Sequence, residues 1–258
     1  MAVIEELNIS IGQIPLRLRI PEKALFEQAS ARYAQFLSVS PHALPISLHA
    51  SGDANAPAAS EDMASAKFSY QFNEASLRWE GAAAEFRGVR HEYGLDSLLR
   101  ILLSVLLVPR SGFLLHAATI LRCELAYVFT GHSGAGKSTI ASLSPAGSVL
   151  TDEISLLSAT EDGWHAHGTP FWGEFRAEGA NVHAPINGIY VLVQAREDRV
   201  ERIPARDVLR ALLPNVLFFS RDRDATEGLL RALAGLAEQV PCYRLFFRRQ
   251  ASFWEAIT

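Results

Sequence analysis

The chain has 258 residues, of which 49% are hydrophobic and 20% charged, and its formal net charge is -4. This length and this apolar fraction predict a globular protein with one large domain or two small ones, and they exclude a disordered chain. The mildly acidic balance gives no overall field that would attract nucleic acid or an acidic membrane surface, so we expect neither as a partner.

The first part of the chain, residues 1–93, predicts a small α+β module. A helix pattern runs from 22 to 36, and a segment at 51–66 is poor in large apolar residues, which predicts a mobile loop. Alternation of apolar and polar residues predicts strands at 4–11, 15–20, 67–72, 76–79 and 85–89. The last three of these read as an antiparallel meander.

The rest of the chain, residues 94–258, predicts a second and larger domain. A helix at 95–108 opens it, and at about fourteen residues it is too short to span a bilayer, which needs about twenty. Strands are predicted at 113–121, 125–130, 148–150, 154–158, 164–167, 187–193 and 242–247, and helices at 137–143, 205–213 and 225–239. The first two strands form a hairpin, so the sheet is predicted to be mixed.

Two cysteines, Cys123 and Cys242, lack the spacing of metal ligands, and a chain of this size with so few does not depend on disulfides. No basic segment followed by an apolar one marks a secretory signal at the start. We therefore expect a cytoplasmic protein.

A glycine-rich run directly follows the strand predicted at 125–130. Its residues are Gly131, His132, Ser133, Gly134, Ala135, Gly136, Lys137 and Ser138, followed by Thr139, and they fit the pattern Gly-x-x-x-x-Gly-Lys-Ser. Glycines let backbone N–H groups turn inward around α- and β-phosphate oxygens, and the N-terminus of the next helix adds positive potential. We expect Lys137 to reach the β- and γ-phosphates, Ser138 to ligate Mg²⁺ and Thr139 to contact the α-phosphate. The alternative is an ordinary Gly/Ser turn.

An acidic pair, Asp152 and Glu153, follows a short apolar strand fourteen positions after Ser138. This placement suits carboxylates that lie beside a bound triphosphate. We expect Asp152 to act as the base that takes a proton from an attacking hydroxyl and Glu153 to lie nearer the metal. A solvated turn between two strands is the alternative.

Histidines provide further candidates. His116 lies within an apolar strand beside the loop strand and either faces the site or is a satisfied core residue. His165 and His167 share one face of a strand, but no third metal ligand is evident nearby. The segment that continues to residue 174 could face a substrate, and Arg176 is either a phosphate contact or an ordinary surface arginine.

These motifs together, namely Leu-Leu-His116-Ala-Ala, the glycine-rich run and Leu-Thr-Asp152-Glu153, resemble the catalytic domain of HPr kinase/phosphorylase and its shorter relatives. The resemblance covers roughly residues 95–258. Relatives in peptide natural-product pathways look similar through Gly168-Thr-Pro and Val240-Pro-Cys-Tyr-Arg244. The sequence departs from HPr kinases at Ala117 and Glu153, where those enzymes usually have Gly and Asp, and the segment associated with the reverse phosphorylase reaction is not found.

The resemblance implies an α/β fold, α+β overall, with a mixed-sheet P-loop domain akin to phosphoenolpyruvate carboxykinase. It also implies phosphorylation of a serine hydroxyl, with Asp152 as the base and His116 as its neighbour. The expected protein is a kinase that uses ATP and Mg²⁺ and acts on a peptide or small protein. A small-molecule alcohol kinase, a nucleotide-responsive module without transfer and an interaction protein with a degenerate loop stay open, as does assembly into a homo-oligomer.

Overall fold

The computed structural model describes residues 4–49, 68–72, 74–145, 147–173 and 179–257. Contacts divide the chain into two compact units, Met1–Leu103 and Ser104–Thr258. The loop predicted at 51–66 and Arg176 lie outside the described residues. The fold is mixed α+β, with two mixed sheets and six α-helices in the described ranges.

The first unit is built on a six-stranded sheet. Its strands are β1 (Glu5–Ile11), β2 (Ile14–Ile20), β3 (Leu44–His49), β4 (Phe68–Phe72), β5 (Ala75–Glu80) and β6 (Ala83–Arg87). They lie in the order β1-β2-β3-β6-β5-β4, in which β3 runs parallel to β2 and β6 and the other pairs are antiparallel. The predicted meander is confirmed. The sequence pattern missed β3, since Pro45 interrupts its alternation and argues locally against a strand.

The described residues of this unit also form two α-helices, α1 (Lys23–Arg32) and α2 (Glu92–Leu106), the second of which continues just beyond the unit boundary. The helix predicted at 22–36 is too long, because α1 ends at Arg32 and the chain continues into a 3₁₀ turn at Ala34–Phe36. A buried ionic cluster joins the two helices. The Arg32 guanidinium and the Tyr33 hydroxyl both donate to the Asp96 carboxylate, the latter at 2.7 Å.

In its described residues, the second unit contains nine paired strands. They are β7 (Gly112–Arg122), β8 (Leu125–Thr130), β9 (Val149–Thr151), β10 (Ile154–Thr160), β11 (Gly163–His167), β12 (His183–Gln194), β13 (Arg199–Arg202), β14 (Val216–Leu217) and β15 (Cys242–Phe247). The main path is β11-β10-β7-β8-β12-β15-β13, and β9 and β14 both pair with β7. Strand β12 runs parallel to β8 and β15, whereas the β7–β8 hairpin is antiparallel, so the prediction of a mixed sheet is confirmed.

The sheet of the second unit also closes on itself. Strand β11 pairs with the beginning of β12 as well as with β10, so that β7, β8, β12, β11 and β10 form a ring.

The charged edge strand β13 was not predicted from sequence, because three of its four residues are Arg or Glu and give no apolar alternation. Its solvent-facing position in the sheet explains that composition.

Four helices cover this sheet: α3 (Lys137–Leu143), α4 (Ala205–Leu212), α5 (Arg223–Gln239) and α6 (Phe253–Ala256). Adjacent residues of β8 feed two apolar clusters, Val128 joining the one that holds α4 and α5, and Phe129 joining the one that holds α3 and α6. The side chains of a strand alternate between faces, so the sheet is packed on both sides. Within the described ranges, no helix has both the length and the apolarity needed to cross a membrane.

Candidate nucleotide-binding site

The glycine-rich run connects the end of β8 to the first residue of α3, as predicted. Gly134 and Gly136 both adopt left-handed backbone angles, with φ of +78° and +116°, which residues with a side chain rarely reach. The Ala135 N–H donates to the His132 carbonyl at 3.0 Å and closes a turn inside the loop. The loop therefore needs its glycines for its conformation.

Apolar side chains support the loop from below. Ala135 is buried in the same cluster as Leu192 of β12 and Phe247 of β15. A Cβ atom at Gly136 would lie only 2.5 Å from Cζ of Phe247, so the backbone passes directly over that ring. The loop thus rests on the carboxyl ends of two strands parallel to β8.

Lys137 folds back into this loop. Its ammonium donates to the carbonyl oxygens of Gly131 at 3.0 Å and of His132 at 3.3 Å, and the residue is only 7% exposed. Burial lowers the pKa of Lys137 from its ordinary value, while the nearby negative charge of Glu153 acts in the opposite direction. The site therefore holds a buried cation whose hydrogen-bond partners, among the described residues, are neutral carbonyls.

The acidic pair lies in the short turn between β9 and β10. Asp152 is 3% exposed, and its Oδ1 accepts a hydrogen bond of 2.9 Å from the backbone N–H of Gly173. The side chain of Glu153 also lies against Gly173, since a Cβ atom there would be 3.1 Å from Cβ of Glu153. The turn is buried and held by the segment 168–173, so the alternative of a solvated turn is not what the structure shows for Asp152.

Strand β7 lies between the loop strand and the acidic turn. The His116 carbonyl accepts a bond of 2.9 Å from Thr130 Oγ1, at the last residue of β8. The next residue, Ala117, donates its N–H to the Glu153 carbonyl at 2.9 Å. The half-buried His116 is therefore next to both the entrance of the loop and the acidic pair, which are far apart in sequence.

The remaining predicted residues lie on the outer side of the loop. His132, Ser133, Gly134 and Ser138 are exposed, and Thr139 is half-buried in the first turn of α3. No group of three or more His, Cys, Asp or Glu side chains in the described part of the chain is arranged to hold a metal ion. Ser138 and Glu153 stay predicted ligands of a magnesium ion. Such an ion would complete its coordination shell with phosphates and water.

Gly173 and Gln194 are among the residues that contact the predicted site without having been predicted as site residues. Gly173 supplies the amide that holds Asp152, and Gln194 donates its Nε2 to the Gly134 carbonyl at 2.8 Å. The sequence signal for the first was the segment from His165 to residue 174, with its two histidines, two glycines and a proline, which was predicted as a possible substrate-facing loop. Within this segment, Thr169 is buried and donates to the Ile154 carbonyl at 2.6 Å, which anchors the segment beside the acidic turn.

The two histidines of β11 do acquire a histidine neighbour. The rings of His165 and His167 lie with centroids 5.5 and 5.2 Å from that of His183 on β12. His165 Nδ1 is bonded to Thr160 Oγ1 and His167 Nε2 to Ser158 Oγ, so two ring nitrogens are engaged by hydroxyl groups. This cluster therefore belongs to the closure of the sheet ring.

A comparison with protein-family models shows the family to which the chain belongs. The family model of ScmC, described as SynChlorMet cassette protein ScmC, matches residues 95–258. The chain belongs to the ScmC family. The matched ScmC region includes the glycine-rich loop, the acidic pair and His116, so the predicted site lies within the matched residues. A search of curated proteins finds no match to the chain.

Proposed function

We propose that this ScmC family protein is an ATP- and Mg²⁺-dependent kinase with a P-loop domain of the HPr kinase and phosphoenolpyruvate carboxykinase type. It transfers the γ-phosphoryl group to a hydroxyl, namely a serine of a peptide or small protein. The observation that carries the proposal is the buried ammonium of Lys137, held inside a glycine loop by two neutral carbonyls and acted on by the charge of Glu153, which is the neighbour of the buried Asp152.

The loop is suited to a polyphosphate for electrostatic reasons. A lysine ammonium has three N–H donors, and the carbonyls of Gly131 and His132 accept from it. Burial destabilises the charged form, which is why the pKa of Lys137 is lowered. A bound phosphate chain would compensate this cation and would accept its remaining donor together with loop amides.

Oxygen ligands for magnesium are available beside the loop. Mg²⁺ prefers carboxylate, hydroxyl and phosphate oxygens, and it is commonly held by one or two protein side chains plus the phosphates of its nucleotide. The exposed Ser138 hydroxyl and the Glu153 carboxylate, whose charge acts on Lys137, fit this preference. When bound, the ion would neutralise charge on the transferring phosphoryl group.

Asp152 is the proposed base. The Gly173 amide holds one oxygen of its carboxylate, which fixes the direction of the side chain. In the transfer, the acceptor oxygen forms a bond to the γ-phosphorus, the bond between that phosphorus and the β–γ bridging oxygen breaks, ADP leaves, and the hydroxyl proton passes to Asp152. His116, beside the acidic turn on β7, is the proposed neighbouring histidine.

The serine acceptor rests on the resemblance to HPr kinases and their peptide-tailoring relatives. Since the family is named for a cassette, the first candidates are small proteins and peptides encoded beside this one. ATP is the phosphoryl donor, so we propose that the protein acts in the cytoplasm.

The test begins with binding of Mg²⁺-ATP measured by calorimetry, followed by incubation with candidate peptides and mass spectrometry of the products. In Lys137→Met, we expect the dissociation constant for ATP to rise about 100-fold, because a charged contact to phosphate is lost. In Asp152→Asn, we expect ATP binding to survive while transfer falls at least about 100-fold. Asp162→Asn, in the exposed turn between β10 and β11, is the matched control.

Three outcomes would contradict the kinase proposal. Absence of any ATP binding by the unaltered protein would remove the nucleotide site. Binding without transfer to any acceptor would favour a nucleotide-responsive module. Full transfer by Asp152→Asn would show that this carboxylate is not the base.

A further inference from the structure

The apex of the phosphate loop is held by a side chain from a different strand. Gln194, the last residue of β12, donates its Nε2 to the carbonyl oxygen of Gly134 at 2.8 Å, across sixty sequence positions. Gly134 is exposed, and a Cβ atom built on it would find no atom within 4 Å. The apex is therefore open to solvent on that side, and Gln194 supplies a hold that packing does not.

The strand register explains why Gln194 reaches the loop. Val191 of β12 is opposite Thr130, the last residue of β8, so the three residues after Val191 run alongside the loop. Gln194 itself is paired with Phe247, the ring over which Gly136 passes. The ends of β12 and β15 thus hold the loop at two points, one polar and one apolar.

A short chain of hydrogen bonds continues from Gln194 to the lysine. The peptide group between Gly134 and Ala135 is rigid, and its oxygen is bound by Gln194 while its N–H donates to the His132 carbonyl at 3.0 Å. The same His132 carbonyl accepts from the Lys137 ammonium at 3.3 Å. One peptide plane and one carbonyl therefore separate Gln194 from the cation of the site.

We infer that Gln194 is a positioning residue that orients the Gly134 peptide and, through the His132 carbonyl, sets the place of the Lys137 ammonium for phosphate binding. This inference rests on the proposed nucleotide site. Loss of the Gln194 donor lets the Gly134 peptide rotate, which releases the turn to His132 and the lysine anchored to it. Part of the free energy of phosphate binding is then used to order the loop, so the affinity for nucleotide falls.

The first test replaces Gln194 with residues of similar length. Gln194→Met keeps the length without a donor, and Gln194→Glu keeps the shape with acceptor oxygens only. We expect the dissociation constant for Mg²⁺-ATP, measured by calorimetry, to rise about fivefold in Gln194→Met and further in Gln194→Glu, with unchanged melting temperatures without nucleotide. The matched control Gln239→Met, at the exposed end of α5, should bind ATP normally.

A double-mutant cycle distinguishes positioning of Lys137 from a general effect on the loop. In a Lys137→Met background, the Gln194→Met change should alter ATP affinity by less than about twofold, because the group it positions is gone. A fivefold loss that persists in both backgrounds would overturn the route through Lys137. Equal affinity of wild type and Gln194→Met would overturn the inference as a whole.

Hydrogen exchange without nucleotide separates this inference from the proposed function. Amides of the loop at 131–137 should exchange faster in Gln194→Met than in wild type, with the rest of the second unit unchanged. If wild type fails to bind Mg²⁺-ATP, the proposed function falls, and with it the role in phosphate binding. Faster loop exchange would then still establish Gln194 as the residue that orders this loop, and equal exchange would overturn that as well.

Discussion

The two units of the molecule bury charge in different ways. In the first unit, the Asp96 carboxylate meets the Arg32 guanidinium and the Tyr33 hydroxyl, so that an anion and a cation compensate each other. Burial raises the pKa of Asp96 even with these partners, which shows how strongly the site is withdrawn from water. In the second unit, the Lys137 ammonium is bonded to two backbone carbonyls.

The difference separates a structural role from a binding role. A buried ion pair with hydrogen-bonded partners is complete within the chain, and removing one partner leaves an uncompensated charge. A buried cation with neutral partners keeps much of its ability to attract an anion, and ionisable groups with shifted pKa values concentrate at functional sites. Replacing the charged residues of each unit tests this contrast.

The largest loss of stability is expected from breaking the buried ion pair between Arg32 and Asp96. Arg32→Met leaves the Asp96 carboxylate buried without the guanidinium that donates to it, and we expect the free energy of unfolding of the first unit to fall by about 3–5 kcal/mol. Urea unfolding, with hydrogen exchange to resolve the two units, measures the loss. The control Arg19→Met breaks an exposed pair with Glu6, whose side chains are each 44% exposed, and should cost less than about 1 kcal/mol.

A second change checks the cause of that loss. If an uncompensated carboxylate is responsible, Asp96→Leu in the Arg32→Met background should recover much of the stability, because no charge stays buried. Equal instability of the single and double variants would instead point to lost packing.

A third buried polar group tests the case in which charge is excluded altogether. His167 is 3% exposed, and burial, together with His183 and His165, lowers its pKa to about 4. Between pH 6.5 and 4 the unfolded chain binds a proton that folded His167 does not, so its contribution to stability declines as pH falls, by about 3 kcal/mol in total. Unfolding measured across this range should show the decline.

His167→Gln should flatten that pH dependence, since it removes the titrating group. The matched control His42→Gln changes an exposed histidine and should leave the wild-type profile intact. An unchanged profile in His167→Gln would show that another group causes the decline.

A smaller loss of stability is expected when the Tyr33 hydroxyl is removed from the buried ionic cluster around Asp96. Tyr33→Phe removes the 2.7 Å hydrogen bond to Asp96 but keeps the ring, and hydrogen bonds to charged groups contribute about 2 kcal/mol. Urea unfolding should show a loss of that size. Tyr93→Phe, an exposed tyrosine in the same unit, should change stability by less than about 0.5 kcal/mol, and an equal loss in both variants would refute the assignment.

The contrast also shows what sequence alone can reveal. The β7–β8 hairpin, the glycine run and α3 were predicted correctly because their signals are local: alternation, glycine positions and a helix period. Strands β3 and β13 were missed because a proline and charged side chains disrupt that alternation. The contacts of Asp96 and Gln194 join residues more than fifty positions apart and follow only from topology. The roles of Lys137, Asp152 and His116 stay predictions.

The smallest effect on stability is expected from removing the ammonium of Lys137. Without nucleotide, Lys137→Met should change the free energy of unfolding by less than about 1 kcal/mol, since removing a buried charge with neutral partners relieves its desolvation while two carbonyls lose a donor. Arg32→Met makes the same kind of replacement at the buried ion pair with Asp96, and it should lower the free energy of unfolding several times more. A loss of 3 kcal/mol or more in Lys137→Met would mean that the ammonium is needed for folding, and the argument from its neutral partners to an anion site would fail.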